Sequence, residues 1–441
     1  MAGPRILVSW YTRPRYIAPF RLSATQVTLG PSYGDPGEGE VFQAFTPFQR
    51  PYDLGAFAAR TGIGTEFDAV VVWSDASRIN MPGGLEAFRC PKVLCVGDTH
   101  HLERPLGTMV EYARAAGYDY VVSSHNRHHL HWFVSAGFAN VAWIPGLKAR
   151  HLPQAAQPRK AGVGFVGNAD DDTHPRRRRL LAALGAAEFA LAAGNASREE
   201  AARFYAEALL GFNCSLNGDL NLRIFEILSG GACLVTDRLA PQSGLPLILE
   251  ENRHFVGYDS EAELLDKLRF HLARPDVALA IGAAGAAHYA ADLAPERQRD
   301  RLLDWVLRGR LEPRFDSAWD QRPALAAREA VALDARIALY ETLQEAHRVR
   351  ERIRVLFAPG VPACHVADAA DLHRADLALL RAGAAEPAAL VSARACAAGK
   401  AIGCVDLDAA RREAWDFVVS PAAGAPVIPP QAFAGARRLA V

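Results

Sequence analysis

An arginine and a glutamate three residues apart, Arg223 and Glu226, form the pair with the clearest potential for chemistry in this 441-residue sequence. In a helix this spacing places both side chains on one face. A guanidinium donates paired hydrogen bonds to phosphate oxygens, and a carboxylate accepts hydrogen bonds from neighbouring sugar hydroxyls. The pair therefore has the groups needed to bind a nucleotide-sugar.

The segment around the pair, Asn217 to Asp237, reads NGDLNLRIFEILSGGACLVTD and predicts a short amphipathic helix followed by a strand. Asp219 or Asn221 is expected to cap the start of the helix, and the glycine pair that begins at Gly230 is expected to end it. A capped helix start presents backbone N–H groups and the positive end of the helix dipole, which suits a diphosphate. The alternative is an ordinary capped helix with one surface ion pair.

This segment resembles the signature of GT-B glycosyltransferases, most closely the spore-maturation-type (CgeB-like) group with its N-x-R-x-F-E…G-G/C-G-A…T-D pattern. The resemblance implies that Glu226 binds the ribose of the donor nucleotide, with Arg223 near the diphosphate and Asn221 beside it. Many retaining members of that fold carry a second acidic residue about two helical turns earlier. Here that position is Gly218, with Asp219 adjacent, so the resemblance does not support a retaining mechanism.

The resemblance covers roughly residues 65 to 308 and is diffuse outside the signature. It extends to VGFVGN, Val163–Asn168, which resembles the first βα turn of the donor-binding domain. Gly167 permits close approach of the backbone to a phosphate, Asn168 stands beside it, and the run Arg176–Arg179 can supply charge. The alternative is an ordinary glycine turn followed by a solvated arginine face.

Two clusters of residues contain side chains that can bind metal ions. In neither cluster does the sequence pattern favour a metal site. Asp170–Asp172 is similar to the metal-binding D-x-D of GT-A glycosyltransferases, yet it lies in a second Rossmann-like unit and the signature helix already offers a diphosphate site. His125, His128, His129 and His131 include a spacing that binds zinc. No third ligand type stands at a recognisable offset, which favours a helix start with solvated histidines. We therefore predict no metal.

Polar residues also follow a predicted strand near the N-terminus. The sequence GDTHH, Gly97–His101, comes after Val93–Val96, so its side chains are expected at the carboxyl edge of the first sheet, where ligands bind in doubly wound folds. Inverting sugar transfer needs a base, and Asp98 or His100 is chemically suited. The alternative is that Asp98 caps a helix and that His100 packs against its neighbours.

The Gly- and Pro-rich segment Pro31–Pro51 is predicted to be a long ordered loop near the acceptor.

Composition limits the partners and the compartment. The formal net charge is +0 and the pI is about 7.2, so no global field favours nucleic acid or an anionic membrane. The 7 cysteines include no C-x-x-C pair, which is typical of reduced core cysteines. No run of apolar residues long enough to span a bilayer is expected, and the N-terminus lacks a signal-peptide pattern. These features predict a cytoplasmic protein without a transmembrane segment.

Apolar strands alternate with helical stretches along the chain, which predicts an α/β fold with parallel sheets. We expect two Rossmann-like domains of the GT-B type facing a cleft, plus a small extra C-terminal α/β domain. The acceptor-side domain is placed at residues 1–147, the nucleotide-sugar-binding domain at 160–310, and the extra domain, of unknown role, at 324–441. A long helix is predicted at about Leu325–Arg352.

The sequence thus predicts a metal-independent glycosyltransferase with a nucleoside diphosphate sugar as donor and no other cofactor. The acceptor is a glycan, a protein or a small molecule. An epimerase or phosphorylase of the same fold, and a non-catalytic binding or scaffold protein that recruits a partner through its C-terminal domain, are the alternatives. The predicted catalytic residues are Asp98, His100 and Arg223, and the predicted donor-binding residues are Gly167, Asn168, Asn221, Arg223, Glu226 and Gly230.

Overall fold

The computed structural model of the protein describes residues 3–11, 21–32, 42–47, 51–99, 102–148, 158–169, 174–187, 189, 191–216, 218–239 and 243–316. It also describes positions 337 and 341 and four strands that begin at residue 355. Contacts divide the chain into two units. The first contains Met1–Ile144, Arg299–Ala346 and Arg354–Val441, and the second contains Pro145–Gln298 and His347–Ile353.

A seven-stranded, wholly parallel sheet forms the centre of the first unit. Its order is β3-β2-β1-β4-β5-β6-β7, so the chain direction across the sheet reverses between β1 and β4. The central strands are apolar and fully buried, as expected where helices cover both faces of a sheet. The strands are Ile6–Ser9 (β1), Val27–Ser32 (β2), Phe42–Pro47 (β3), Ala69–Ser74 (β4), Lys92–Val96 (β5), Tyr120–Ser123 (β6) and Val141–Trp143 (β7).

Strand β3 corrects the prediction of a long loop at Pro31–Pro51. Its residues pair in parallel with β2, with Leu29 opposite Ala44 and Gly30 opposite Phe45. An edge strand needs only one partner backbone, so a short alternating run can extend a sheet even when proline and glycine flank it. The residues between β2 and β3 lie outside the described part of the chain.

The described helices of the first unit begin with α1, Leu54–Arg60, which the sequence analysis did not predict. Asp53 caps it, because its Oδ1 accepts from the N–H of Ala56 at 2.7 Å. The residues Leu85–Ala87 form only a 3₁₀ turn, and Gly84 before it adopts a left-handed φ of 71°. The remaining helices are Pro105–Ala116 (α2) and His131–Ser135 (α3), the latter preceded by a 3₁₀ turn at Arg127–His129.

A five-stranded parallel sheet of order β12-β11-β10-β8-β9 organises the second unit. The chain direction across this sheet reverses between β8 and β10. Such a reversal opens a crevice at the carboxyl ends of the two strands, where ligands bind in doubly wound sheets. The strands are Lys160–Val166 (β8), Leu191–Gly194 (β9), Ala208–Asn213 (β10), Cys233–Asp237 (β11) and Val256–Tyr258 (β12).

Helices pack closely on this sheet because glycines remove side chains at the contacts. A Cβ on Gly211 of β10 would lie 2.5 Å from the Ile227 side chain, and one on Gly282 would lie 2.6 Å from the carbonyl oxygen of Gly231. The helices are Pro175–Ala186 (α4), Arg198–Glu207 (α5), Leu222–Gly230 (α6), Leu245–Ile248 (α7), Glu261–Ala273 (α8), Pro275–His288 (α9) and Pro295–Arg308 (α10), with a π-helical turn at Tyr289–Leu293 between the last two.

The continuous helical run Pro275–Arg308 corrects the expectation about apolar length. By length and composition alone it qualifies as a candidate membrane span, and 39% of its most apolar window is buried. Within it, Gly282 and Gly285 pack against backbone atoms of the second unit. A core helix of a folded domain meets the same criteria, so the run is weak evidence for a membrane segment.

The chain after Gln298 packs with the first sheet. The ring of Trp305 contacts that of Tyr120 edge to face, with ring centres 4.9 Å apart, and the ring centres of Phe315 and Trp143 are 6.2 Å apart.

A parallel four-stranded sheet lies further along the chain. In spatial order its strands are Val355–Phe357 (β13), Leu377–Arg381 (β14), Ala401–Val405 (β15) and Phe417–Val419 (β16). All four strands lie within residues 324–441, where the sequence analysis placed the extra α/β domain. The domain boundaries proposed from the sequence, including a separate C-terminal domain, stay predictions.

A carboxylate far along the chain, Glu341, holds the start of α2. Its Oε1 accepts from the backbone N–H groups of Leu106 and Gly107 at 2.7 and 2.9 Å, and the residue is 9% exposed. The N-cap residue Arg104 supplies no side-chain cap. Burial raises the pKa of Glu341, although the two backbone hydrogen bonds oppose the rise.

Replacing Glu341 with alanine is therefore expected to lower the free energy of unfolding by about 1 kcal/mol, a typical value for a lost helix cap. Glu341→Gln keeps the acceptor oxygen and should retain most of that stability.

Ending the chain after Arg322 also removes Glu341, so it should lower the free energy of unfolding at least as much as Glu341→Ala does. It should leave donor affinity unchanged, because the predicted donor residues lie earlier in the chain. Chemical denaturation and nucleotide titration of the three variants test this. A loss of donor affinity in a folded truncation would contradict it.

Candidate functional site

The candidate site lies at the carboxyl edge of the second sheet, where the chain direction reverses. Gly167 and Asn168 follow β8, Asn213 ends β10, and Asp237 ends β11. Helix α6 begins near these strand ends and directs Arg223 onto them, as its hydrogen bonds show. Parallel strands thus bring together residues that are distant in sequence, at the place where doubly wound folds bind ligands.

Arg223 is the central side chain of this site. Its Nε donates to the Val166 carbonyl at 2.6 Å and its Nη1 to Asn213 Oδ1 at 3.0 Å. The guanidinium lies 4.3 Å over the ring of Phe165, and the residue is only 9% exposed. Two of its three guanidinium nitrogens thus donate to protein acceptors, and its role near a donor diphosphate stays a prediction. What these contacts provide is a rigidly oriented positive charge.

Gly167 is required by this arrangement for two reasons. Its φ is +142°, a conformation that residues with a side chain rarely adopt, and a Cβ there would lie 2.1 Å from Arg223 Nη2. The turn is fixed because the Gly167 N–H donates to the Gly194 carbonyl at 2.9 Å. The next residue, Asn168, uses its Oδ1 to accept from the N–H of Ala169. The structure thus brings Gly167, Asn168 and Arg223 together, as predicted.

The start of α6 differs in detail from the prediction. Asn221 is the N-cap residue, but its side chain makes no capping hydrogen bond. Both polar atoms of its amide are buried, and no described residue hydrogen-bonds to them. Asp219, the other predicted cap, accepts from the N–H of Leu216 at 2.7 Å. Because the Asn221 side chain does not cap the helix, an anion can still approach the N-terminus of α6.

Glu226 lies one turn after Arg223 and is half-buried. Burial raises the pKa of the neighbouring Tyr205, Arg223 opposes that rise, and the Glu226 carboxylate adds to it. Glu226 and Arg223 thus act on a common neighbour, which agrees with their predicted position on one face of α6.

Gly230 does not lie with these residues. It ends α6, about 12 Å along the helix from its first residue at 1.5 Å per residue. A Cβ on Gly230 would lie 2.6 Å from the Cβ of Tyr205, and its carbonyl oxygen accepts from Arg159 Nη2 at 2.8 Å. Close packing against α5 accounts for a glycine here, and the predicted role of Gly230 in donor binding stays a prediction.

Two buried polar residues at the strand ends were missed by the sequence analysis. Asn213 links Arg223 to the hydroxyl of Thr236, which receives its Nδ2–H at 2.9 Å. Asp237 is fully buried, and it accepts from Arg176 Nη1 at 2.9 Å and from the hydroxyl of Ser215 at 2.8 Å. The sequence signal for both was a polar residue that closes an apolar strand, and Asp237 is also the last residue of the signature pattern.

The arginine run at the start of α4 divides into two pairs. Arg176 and Arg177 are largely buried, whereas Arg178 and Arg179 are exposed, so the run is not simply a solvated face. Burial lowers the pKa of Arg176, but Cys214 and Asp237 raise it more, so its pKa lies above its usual value. The ion pair with Asp237 accounts for Arg176.

In the first unit, Asp98 follows β5 and is half-buried. The preceding Gly97 donates its N–H to the Ser74 carbonyl at 2.6 Å, and the following Thr99 hydrogen-bonds to His129 Nδ1 at 2.7 Å. Asp98 is thus fixed at the carboxyl edge of the first sheet. His100 lies outside the described residues. The proposed roles of both as catalytic base stay predictions.

The histidines of the first unit are packed, which corrects the expectation that they are solvated. His125, His129 and His131 are 6%, 1% and 4% exposed, and His131 Nδ1 hydrogen-bonds to the carbonyl of His128 at 2.9 Å. Within the described part of the chain, no group of three or more His, Cys, Asp or Glu side chains is placed to hold a metal ion. The aspartates Asp170–Asp172 lie outside that part, and metal independence stays a prediction.

One family model matches part of the chain. Residues 174–304 match the family model described as glycosyl transferase-like. The matched segment runs from the start of α4 into α10 and includes Arg223 and Glu226. This match supports a glycosyltransferase assignment for the segment that carries the site. A search of curated proteins finds no match.

Several solved structures are similar in fold. HepE from Anabaena, in complex with UDP and glucose, is 12% identical over 68% of this chain and 99% of that chain, with a TM-score of 0.49. The sucrose-phosphate synthase from Thermosynechococcus elongatus is 13% identical over 56% of this chain and 74% of that chain, with a TM-score of 0.42. The pneumococcal O-GlcNAc transferase GtfA, in complex with UDP and GlcNAc, is 12% identical over 57% of this chain and 59% of that chain, with a TM-score of 0.40.

Proposed function

We propose that this protein is a GT-B-type glycosyltransferase that moves a sugar from a nucleoside diphosphate sugar to an acceptor. The observation that carries the proposal is the buried, rigidly held Arg223 at the start of α6, beside the glycine turn at Gly167. This arrangement lies in a strand-order reversal of a parallel sheet, within the segment that matches a glycosyl transferase-like family. All three features suit a bound diphosphate.

In this mechanism the donor diphosphate lies between the Gly167 turn and the N-terminus of α6, and the Glu226 carboxylate accepts hydrogen bonds from the ribose. Negative charge grows on the diphosphate as the bond to the sugar breaks. A guanidinium that is already oriented by Val166 and Asn213 stabilises that charge without reorganising. Positioning of donor and acceptor provides the remaining acceleration.

The proposal assigns the acceptor to the first unit and the base to Asp98 or His100. A base is needed if the configuration at the sugar inverts. Asp98 stands at the carboxyl edge of a doubly wound sheet, where polar groups reach bound molecules.

A thermal-shift screen against UDP-, GDP-, CMP- and dTDP-sugars tests the donor class. A ligand at about a hundred times its dissociation constant stabilises the folded state by about 2.7 kcal/mol, which gives a measurable shift. Stabilisation by UDP-, GDP- or dTDP-sugars supports the proposal, and stabilisation by CMP-sugars alone, or no shift with any of them, contradicts it. Turnover of a bound sugar nucleotide without acceptor would indicate an epimerase instead, and binding without any turnover would indicate a binding protein.

Activity is expected to survive EDTA. The proposed diphosphate site consists of a helix N-terminus and arginines, so no divalent ion is needed to neutralise the leaving group. Initial rates should be equal with EDTA and with added manganese, after the protein has been dialysed against chelator. Complete loss with EDTA that manganese restores would contradict the metal-free mechanism and favour a role for Asp170–Asp172.

A further inference from the structure

A buried tyrosine of helix α5, Tyr205, places its hydroxyl beside the candidate site. Tyr205 is 0% exposed. Its Oη accepts from the backbone N–H of Val166, at the end of β8, at 2.9 Å. The carbonyl of the same Val166 accepts from Nε of Arg223 at 2.6 Å. Tyr205 and Arg223 therefore hold the two polar backbone groups of one residue.

The Val166 N–H depends on this hydroxyl because a strand partner is missing on one side. The described pairing of β8 with β10 ends with Gly164 opposite Gly211, two residues before Val166. A buried backbone N–H that lacks an acceptor is destabilising. The phenol oxygen of Tyr205 thus replaces a strand acceptor at the place where the crevice between β8 and β10 opens.

The same hydroxyl also binds the side chain of Arg223. A hydroxyl oxygen accepts two hydrogen bonds, and the second comes from the Arg223 side chain. Burial raises the pKa of Tyr205, the charge of Arg223 opposes the rise, and Glu226 adds to it, so that the pKa lies above its usual value. The hydroxyl is therefore a neutral acceptor for Arg223, and the two side chains do not form an ion pair.

Close packing keeps Tyr205 in place from behind. A Cβ on Gly230 of α6 would lie 2.6 Å from the Cβ of Tyr205. A Cβ on Gly164 of β8 would lie 2.6 Å from the ring of Phe204, the residue before Tyr205. Two glycines thus let α5 approach both α6 and β8, so the Tyr205 hydroxyl is an acceptor with little freedom to move.

We propose that Tyr205 is a positioning residue, whose hydroxyl fixes the Arg223 guanidinium in its working orientation before any nucleotide binds. Because Tyr205 is fully buried, it acts through Arg223 and not by touching a bound molecule. This inference rests on the proposed function and deepens it, since it names the group that preorganises the site. A phenylalanine would fill the same space but would offer no acceptor.

The first measurement needs no ligand. The Nε–H of Arg223 is followed by proton–nitrogen NMR of the full-length protein labelled at arginine, and Arg223→Met identifies its signal. In Tyr205→Phe its exchange with water should be about tenfold faster, the effect of losing one hydrogen bond. The Nε–H of Arg238, which donates to Glu251 at 2.9 Å, is the internal control and should not change.

A matched variant removes a buried hydroxyl elsewhere. Tyr118 lies in the first unit, is 5% exposed, and shares a hydrogen bond of 2.7 Å with the hydroxyl of Tyr112. Tyr118→Phe therefore makes the same chemical change in a similar environment. It should leave the exchange of the Arg223 Nε–H as it is in wild type.

The second measurement is calorimetric titration of UDP, GDP and dTDP into the full-length protein. For the nucleotide that binds wild type most tightly, Tyr205→Phe should bind about two- to tenfold more weakly, because a loosened Arg223 must be ordered on binding. In an Arg223→Met background the same change should have no further effect, since no guanidinium is left to orient. This double-mutant cycle isolates the coupling of the two residues.

The outcomes are distinct. Unchanged exchange of the Arg223 Nε–H in folded Tyr205→Phe overturns the inference, and so does equal weakening of binding in both backgrounds, which indicates a purely structural role. If Tyr205→Phe does not fold, a nuclear Overhauser contact between the Tyr205 ring and the Arg223 guanidinium in wild type supports the inference, and its absence contradicts it. If none of the nucleotides binds wild type, the proposed function fails, while the exchange measurement still decides the role of Tyr205. Nucleotide binding that Tyr205→Phe leaves unchanged supports the proposed function and contradicts the inference.

Discussion

The Glu226→Ala variant is expected to bind the cognate nucleotide about ten- to a hundredfold more weakly than wild type. In the proposed site the Glu226 carboxylate accepts hydrogen bonds from the donor ribose, and a hydrogen bond to a charged group contributes about 1.5–3 kcal/mol. The side chain is half-buried on the same helix as Arg223, so it is held in place while still accessible. Because Glu226 is not part of the apolar core, the fold should persist.

Calorimetric titration of the nucleotide into both proteins tests this expectation. Glu207→Ala is a matched control, because Glu207 lies in the same unit, is exposed, and forms an ion pair with Lys160. A surface ion pair contributes at most about 1 kcal/mol to stability and nothing to binding. The control should therefore bind as wild type does. Equal affinities for wild type and folded Glu226→Ala would remove the central claim of the proposed function.

Replacing Arg223 with methionine is expected to reduce kcat roughly a hundred- to a thousandfold. That range is typical when a preorganised donor to developing negative charge is removed. Binding of donor should suffer less, because the charge on the diphosphate builds up only as the sugar bond breaks. The structure adds a second effect. The Val166 carbonyl and Asn213 Oδ1 would lose their donor, and each buried acceptor left unsatisfied destabilises by about 1–3 kcal/mol.

Arg159→Met separates these two effects of the Arg223 substitution. Arg159 donates to the carbonyl groups of Tyr205, Ala208 and Gly230, so its loss also leaves buried acceptors unsatisfied, but at the opposite end of α6. Both variants should unfold at lower temperature, and only Arg223→Met should lose kcat when rates are measured with saturating donor well below either transition. Equal losses of kcat in the two variants would mean that Arg223 is merely structural.

The sequence predicted the strands that carry the site because long apolar runs bury both faces of a parallel strand. The strand predicted at Val93–Val96, ahead of the polar residues Gly97–His101, is observed at Lys92–Val96. Strand β3 was not predicted, since an edge strand depends on its partner backbone more than on its own composition. The C-terminal strand β14 was not predicted either.

Within the site, sequence spacing identified residues that share a helix or a turn, such as Arg223 with Glu226, or Gly167 with Asn168. It did not identify contacts between elements. Asn213 and Arg223 are 10 residues apart along the chain, and only the packing of α6 on β10 brings them into hydrogen-bonding distance. Likewise, a run of four arginines does not reveal which two face the core. The packing of Gly230 against Tyr205 was not predicted for the same reason, since Tyr205 belongs to another helix.

The return of the chain to the first sheet has a consequence for synthesis on the ribosome. Trp143 is fully buried and packs against Phe315, yet the whole stretch Pro145–Gln298 of the second unit lies between them in sequence. At about 5–20 residues per second, Phe315 emerges about 10–30 s after Trp143. During that interval the nascent first unit exposes a tryptophan on its last strand, while the second unit already has most of the residues it needs to fold. The unit that begins first is therefore completed last.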